Sequence, residues 1–512
     1  MKQMIDQAIK NNNSFKLGVC YVSLSEINEH QLMNIKRNLT FREVDFHSGE
    51  TIETVSYYEQ QNYLIIPRYY EEVYGALPSV NFVFDNRIIG EFITIDCNSA
   101  PRNEAQVEMV TKFMQLPNTG VIKAPPGFGK SYIGVRLTTM IKRKVLILID
   151  NVKLGKQWIG DFQKFTGISD DEVSIIEGTD KFTAKRLNKP VVVTTIQTLS
   201  SMCKNDLLPT NPKVVEMMNA NFGFIIIDEI HKSFGSPEFS KAAVMFSANK
   251  ILGLSATPRK TSTAATDVLL SYFNNTILSP KYEKLSKLYC QIFHFNSGFE
   301  RKTINWMSWG GRFDLNKYQK KLVESTPYLT MIKNIALLLK DKKKIIFIAH
   351  TVNILQSLID YLVKEDVFNR EELGLAIAGC SEDELKHMFV FSTYKMLTAG
   401  LSINHMDTII YLTPPGASTT GIEQSSGRVD RDHNDALTKK LVIDLVDEGI
   451  PQLASRIVAR KKEYQRLNII IEHEFKYNSE LERFSKFITG DEFSEKCVEP
   501  KLKNNTDHLF NN

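Results

Sequence analysis

The sequence predicts an α/β protein: two tandem parallel-sheet domains, with a small mixed α+β domain before them and a helical extension after. Three observations carry this. Short apolar runs rich in β-branched residues, Val145–Ile149, Val191–Thr195 and Phe224–Ile227, alternate with helix-like stretches, as strands buried on both faces of a parallel sheet do. The same texture returns at Lys344–Ile348, Met388–Ser392 and Thr408–Leu412, after an irregular stretch. At 512 residues the chain has room for about three domains of roughly 150 residues each.

Taken in order, residues 1–100 read as an accessory domain of short strands and turns, rich in aromatics (Tyr57, Tyr58, Tyr63, Tyr69, Tyr70, Tyr74, Phe82, Phe84). Aromatics near Arg68 and Arg87 would form a stacking platform for bases, or simply a Tyr-rich core, which explains the same residues with fewer assumptions. The first α/β domain is expected over 101–275 and the second over 331–450. Residues 276–330, with Trp306, Trp309 and Gly310-Gly311-Arg312, fit a connector or a strand-separating wedge. The extension, 451–512, begins helical (Gln452–Leu467) and ends in a polar tail, Lys501–Asn512.

Composition narrows the class. Hydrophobic residues are 43% and charged residues 24%, values typical of globular proteins, which excludes wholesale disorder, collagen-like repeats and coiled coils. Lys plus Arg is 63 and Asp plus Glu 59, a net charge of +4, so only local charge distribution bears on a polyanionic partner. None of the six cysteines lies in a C-x-x-C pair, which leaves neither a zinc site nor a disulfide framework. No apolar run reaches the roughly 18 residues that cross a bilayer, and the first residues lack an apolar signal core. The expectation is a soluble chain without a membrane partner in a reducing compartment: the cytoplasm, or the host cytoplasm for a viral or phage protein.

Ala124-Pro125-Pro126-Gly127-Phe128-Gly129-Lys130-Ser131 follows the apolar Val121-Ile122 and precedes a helix-like run, Tyr132–Met140. That is the strand–loop–helix context of a phosphate loop. Gly127 and Gly129 let backbone N–H groups approach a phosphate, the helix N-terminus adds positive potential, Lys130 supplies a mobile charge and the Ser131 hydroxyl can ligate Mg²⁺. Ala124 stands where the strict pattern has glycine. About 100 residues on, Phe224-Ile225-Ile226-Ile227-Asp228-Glu229-Ile230-His231 is an apolar strand ending in two carboxylates. Seen alone, such a pair is a solvated turn. After a phosphate loop it reads as an ATPase, with Asp228 on Mg²⁺ and Glu229 accepting a proton from the attacking water.

A third cluster, Gln424-Ser425-Ser426-Gly427-Arg428-Val429-Asp430-Arg431, offers two arginines three apart on one helix face. A cation poised for the charge developing on a γ-phosphate is what such a motor needs.

With these motifs in order, residues 101–445 resemble the superfamily 2 helicases and translocases, DExH type, closest to those of phages and large DNA viruses related to branch-migration and transcript-release enzymes. The resemblance implies two RecA-like domains, ATP and Mg²⁺ as cofactors and a nucleic-acid partner. It implies that Gln106, within Pro101-Arg102-Asn103-Glu104-Ala105-Gln106, reads adenine, and that Leu154-Gly155-Lys156-Gln157-Trp158 and Thr194-Thr195-Ile196-Gln197-Thr198 contact a strand. It makes Asp228-Glu229-Ile230-His231 a DExH variant, and Ser255-Ala256-Thr257-Pro258 the motif coupling the two lobes. His350-Thr351 stands where the fourth motif begins, and Ser392-Thr393-Tyr394 with Ala399-Gly400-Leu401-Ser402-Ile403 resembles the fifth. By this resemblance His231, Ser255, Ala256, Thr257, Gly400 and Gln424 couple the lobes, and Gln157, Thr195, Gln197, Thr351 and Thr393 contact nucleic acid. The fifth motif usually reads Glu-Gly-Leu-Asp; the missing carboxylates put the tightness of that coupling in question.

Phosphate contacts carry no sequence information. Each threonine alone is equally a helix cap or a strand face, and Arg259-Lys260 or Ala459-Arg460-Lys461-Lys462-Glu463-Tyr464 a solvated surface as readily as a basic track. The resulting expectation is an ATP-driven helicase or translocase that unwinds or remodels branched duplex DNA in viral or phage replication, recombination or repair. Two alternatives stand beside it: an RNA-directed helicase or transcript-release factor, and the motor subunit of a restriction-like assembly.

Overall fold

Val145-Leu146-Ile147-Leu148-Ile149 has no polar side chain, so it can be satisfied only inside a sheet covered on both faces. In the computed structural model all five side chains are fully buried. The structure describes residues 1–44, 51–125, 127–203, 206–230, 237–243, 245, 247–256, 258, 263–280, 288–299, 314–381, 383–398, 405–415, 419–429, 439–486 and 497–498. It divides into two units, Met1–Tyr282 and Glu283–Asn512.

In the first unit a helix, α1 (Glu104–Gln115), leads into a seven-stranded parallel sheet. Its elements are β1 (Thr119–Lys123), α2 (Lys130–Ile141), β2 (Val145–Ile149), α3 (Val152–Thr166), β3 (Val173–Ile176), β4 (Val191–Thr195), α4 (Ile196–Cys203), β5 (Phe224–Ile227), β6 (Lys250–Ser255) and β7 (Ile277–Leu278). The spatial order is β7-β1-β6-β5-β2-β4-β3. Alternate residues feed two cores: Leu146, Leu148, Val192 and Ile225 on one face, Val145, Ile147, Val191 and Phe224 on the other. This is the period-2 pleat applied to a strand wetted on neither side.

The accessory region is not a separate lobe. Its four-stranded antiparallel sheet, in the order Phe15–Lys16, Val19–Ser23, Tyr63–Pro67 and Tyr58–Gln60, contributes Phe15, Tyr21 and Tyr63 to the same core as Leu146 and Leu148. The Gly18 amide donates to Ser247 Oγ at 2.9 Å, and the Tyr69 and Ile88 amides donate to the carbonyls of Ser271 and Ser247 at 2.8 and 2.7 Å. Tyr63, Tyr69 and Tyr70 are buried, and the Arg68 guanidinium is spent on the Leu17 carbonyl and Asp85. Those aromatics pack in or against a core, as the simpler of the two expectations has it.

The second unit holds a nine-stranded sheet. Its labelled elements are β8 (Leu288–Phe295), β9 (Ile345–Ala349), α5 (Val352–Lys364), β10 (Leu373–Ala376), β11 (Phe389–Thr393), β12 (Thr408–Tyr411), α6 (Thr419–Val429), β13 (Lys440–Asp447), α7 (Arg456–Arg466), β14 (Ile470–Asn478), β15 (Arg483–Lys486) and β16 (Cys497–Val498). The order is β10-β11-β9-β12-β13-β8-β14-β15-β16, parallel as far as β14 and antiparallel beyond it.

Both units are thus RecA-like α/β domains, with two departures from the expected boundaries. The stretch expected to be a connector contains β8, which lies between β13 and β14. The extension opens with helices, Pro451–Ala454 and α7, but then supplies three strands of the second sheet. The proposed basic surface on α7 is also corrected. Arg460 is buried, its Nε donating to Asp444 Oδ2 at 2.7 Å, where the Tyr464 hydroxyl also donates at 2.7 Å. Lys461 pairs with Glu474 at 2.6 Å. Arg259, Lys260, Trp306, Trp309 and Arg312 lie outside the described residues. Among the described residues, no helix is long and apolar enough to cross a membrane.

Candidate active site

A parallel sheet sends the carboxyl ends of its strands to one edge, where open α/β folds bind ligands. Four segments singled out in the sequence arrive there because β1, β2, β4 and β5 run the same way. After β1 comes the candidate phosphate loop, whose Gly127 and Gly129 have φ of 81° and 92°. That left-handed geometry suits glycine alone at no steric cost. A Cβ on Gly129 would also stand 2.5 Å from Gln106 Nε2.

Lys130 opens α2 and donates to the Ala124 carbonyl at 3.3 Å, so Ala124 closes the loop through its backbone, where the glycine usual at that position offers nothing more. The Ala124 amide donates to the Ser255 carbonyl at 3.0 Å, joining the loop to the end of β6. Ser131 is the second residue of α2.

Across β6, β5 delivers Asp228 and Glu229. The Asp228 amide donates to the Leu148 carbonyl at 2.9 Å, continuing the ladder with β2. Asp228 Oδ1 accepts the Glu229 amide at 2.9 Å, and Oδ2 accepts the Trp158 indole N–H at 2.8 Å. Burial of the carboxylate, with Glu229 beside it, pushes Asp228 up to about 6, against the opposing pull of Trp158 and Lys130. Glu229 has φ of 45°, an uncommon backbone state for a non-glycine residue that persists where surrounding structure holds it. It carries Oε1 to 3.7 Å from Lys130 Nζ.

A serine hydroxyl and an aspartate carboxylate are the hard oxygen donors that Mg²⁺ takes, completed by waters and substrate phosphates. No group of three or more His, Cys, Asp or Glu side chains able to hold a metal occurs among the described residues.

Gln106 is fully buried, its Oε1 accepting the Arg102 amide at 2.8 Å and its Nε2 donating to the Phe128 carbonyl at 2.7 Å. One N–H and one lone pair stay available, so base reading would share the amide with the phosphate loop. Gln157 on α3 and Gln197 on α4 are exposed at the same edge as the loop. Thr195 caps α4, its Oγ1 accepting the Thr198 amide at 3.1 Å, and Thr393 accepts the Met396 amide at 3.3 Å. For both, the cap role is real. Thr351 precedes α5 without a side-chain cap bond.

Ser255 ends β6 and Ala256 is buried behind it. Gln424 and Arg428 fall on α6, their side chains outside the described structure. Pro126, His231, Thr257, Gly400 and Arg431 lie outside the described residues. Trp158's bond to Asp228 was invisible in sequence; the only hint was that a buried indole N–H needs an acceptor.

With the geometry set out, comparison with known proteins adds kinship. The family described as type III restriction enzyme, res subunit, matches residues 100–260. Probable helicase D10 of Escherichia phage T5 is 22% identical over 347 residues, covering 66% of this chain and 70% of that protein. The general transcription and DNA repair factor IIH helicase/translocase subunit XPB1 of Arabidopsis thaliana is 30% identical over 164 residues, 32% of this chain. The chain spans only 20% of that relative's length. Among solved structures, S. cerevisiae Dbp5 bound to RNA and ADP BeF3 superposes with a TM-score of 0.50 over 73% of this chain and 89% of that one, at 11% identity. At that identity the likeness shows the fold alone.

Proposed function

We propose that this chain, similar to phage helicases and matched by a restriction-enzyme motor family, is a superfamily 2 helicase that couples ATP hydrolysis to unwinding or remodelling of DNA, branched duplexes included, in phage or viral replication, recombination or repair. The observation that carries the reading is the convergence of Lys130, Asp228 and Glu229 at one sheet edge, with Lys130 Nζ 3.7 Å from Glu229 Oε1. Lys130 and the first amides of α2 would hold the β- and γ-phosphates. Glu229 would orient the attacking water and take its proton. Ser131 and Asp228 would hold Mg²⁺, which when bound neutralises charge on the phosphate oxygens. Arg428 and Arg431 would supply the cation for charge developing in the transition state.

The choice of DNA rests on relatives whose names state it, among them the DNA 3'-5' helicase XPB of Kineococcus radiotolerans. The restriction-enzyme family match covers the loop and the Asp-Glu pair, which are motor parts; it supports hydrolysis and leaves restriction aside. Gln157 and Gln197, exposed beside the capped starts of α3 and α4, would track a strand through its phosphates.

The test is ATP turnover by the purified chain, alone and with single-stranded, duplex or branched DNA or with RNA, beside Glu229→Gln. Greatest stimulation by branched DNA, lost in the variant, supports the proposal. Stimulation by RNA alone moves the substrate to transcripts. Turnover that survives Glu229→Gln overturns the site assignment.

A further inference from the structure

Trp158 joins a carboxylate and a helix to the helix it belongs to. Its indole N–H donates to Asp228 Oδ2 at 2.8 Å. Its six-membered ring lies on Gly134 of α2, where an added Cβ would meet Cη2 at 2.7 Å and Cζ3 at 3.0 Å. Its backbone belongs to α3, directly after Gln157, which faces solvent. Trp158 is only 2% exposed, so its ring is pinned between helix and strand, with no room to turn without moving one of them.

We propose that Trp158 is a positioning residue for the metal-binding carboxylate: its N–H fixes the orientation of Asp228, and through it any displacement of α3 reaches the nucleotide site. This rests on the ATPase reading above and deepens it. A carboxylate held only by the Glu229 amide at Oδ1 is free to swing about that bond. The indole removes this freedom and leaves the second oxygen aimed by packing. Partners that orient ligating groups in this way are worth about 10–100-fold in metal affinity elsewhere. The ring on Gly134 extends the same restraint to α2, three residues after Ser131, so both oxygen donors are referenced to one side chain. Nucleic acid drawn against the exposed face of α3 would therefore press on the metal site through a rigid indole.

The test compares wild type with Trp158→Phe, which keeps an aromatic side chain in the core but deletes the N–H together with the outer ring atoms that lie on Gly134. Binding of a fluorescent ATP analogue is titrated with Mg²⁺, and repeated in EDTA. The expected result is unchanged affinity in EDTA and an Mg²⁺ midpoint raised about tenfold, with a smaller stimulation of turnover by DNA. Equal Mg²⁺ midpoints overturn the proposal. So does a loss of affinity of the same size with and without Mg²⁺, which marks Trp158 as packing alone.

Should Trp158→Phe fail to fold, the measurement moves to Trp306→Phe/Trp309→Phe, which leaves Trp158 as the single tryptophan of the three. Its emission should respond when Mg²⁺ is added to the nucleotide complex; an emission indifferent to Mg²⁺ overturns the proposal. If wild type binds no nucleotide at all, the ATPase reading falls first and this inference with it.

Discussion

The Lys130 ammonium and the Glu229 carboxylate approach to 3.7 Å at the carboxyl edge of the first sheet, both largely shielded from water at 13% and 23% exposure. They start from strands separated by β6, so the approach is made by the loops and by the left-handed backbone of Glu229. On the proposed reading, a cation for phosphates and a base for water face the same small volume. Lys130→Ala is therefore expected to cut ATP turnover by about 10²–10³-fold, the cost of removing one preorganised charge from a phosphoryl-transfer site. Phosphate release measures it, and wild-type rates would refute the assignment.

Gly129 is constrained twice, by φ of 92° and by Gln106 Nε2 standing 2.5 Å from where a Cβ would be. Gly129→Ala should cost about 1–2 kcal/mol in backbone strain, displace the Gln106 amide and weaken nucleotide binding. Gly160 in α3 has nothing within 4 Å of its would-be Cβ. Gly160→Ala should be neutral or stabilise by about 1 kcal/mol of helix propensity, read as a raised melting temperature. Equal effects at both sites would show that the loop geometry is not what matters.

Arg431 carries an expectation from sequence alone. A cation acting only on transition-state charge leaves ground-state binding intact, so Arg431→Ala should bind ATP normally while kcat falls by about 10³-fold or more. Binding and turnover falling together would make it a ground-state ligand.

In the second unit, Arg460 and Asp444 form an ion pair at 5% and 0% exposure, joined by the Tyr464 hydroxyl. Removing one partner strands a buried charge. Arg460→Leu should lose about 3–5 kcal/mol, read as a lowered denaturation midpoint. A midpoint shift like that of an exposed substitution would show the pair to be incidental.

Glu474 on β14 accepts from His294 at 2.9 Å and from Lys461 at 2.6 Å, and these bonds hold its carboxyl down at about 2. A depressed carboxylate contributes stability that is fully present above its unfolded value near 4.5 and is lost as pH falls from there towards 2. The contribution is on the order of 2–3 kcal/mol. Glu474→Gln should lower stability at pH 7 and flatten its fall between about pH 5 and pH 3. Parallel acid profiles for the two proteins would exclude this role.

Much of the candidate site was legible beforehand because the motifs that mark it are local. The phosphate loop needs glycines, a lysine and a serine in immediate succession, and an apolar strand ending in Asp228-Glu229 announces its own direction. Strands such as Val145–Ile149 were equally plain, since double burial leaves an unbroken apolar run. β14, Ile470-Ile471-Glu472-His473-Glu474-Phe475-Lys476-Tyr477-Asn478, was not. Its alternation of polar and apolar residues marks a strand with one wetter face, but the strand follows a helix in a segment expected to be a helical extension with a polar tail.

The sequence by itself therefore determined the kind of sheet, the edge at which the candidate site gathers and the side chains proposed to meet phosphate, because periodicity and short motifs are properties of neighbours along the chain. Only the tertiary structure decided that β8 lies between β13 and β14, that the first hundred residues share a core with β2, and that Arg460 faces Asp444 instead of solvent. It also decided that Trp158 holds Asp228, 70 residues away. Those outcomes depend on which distant surfaces exclude water together, and hydrophobic burial is non-directional: it tells a residue to be covered without naming its cover.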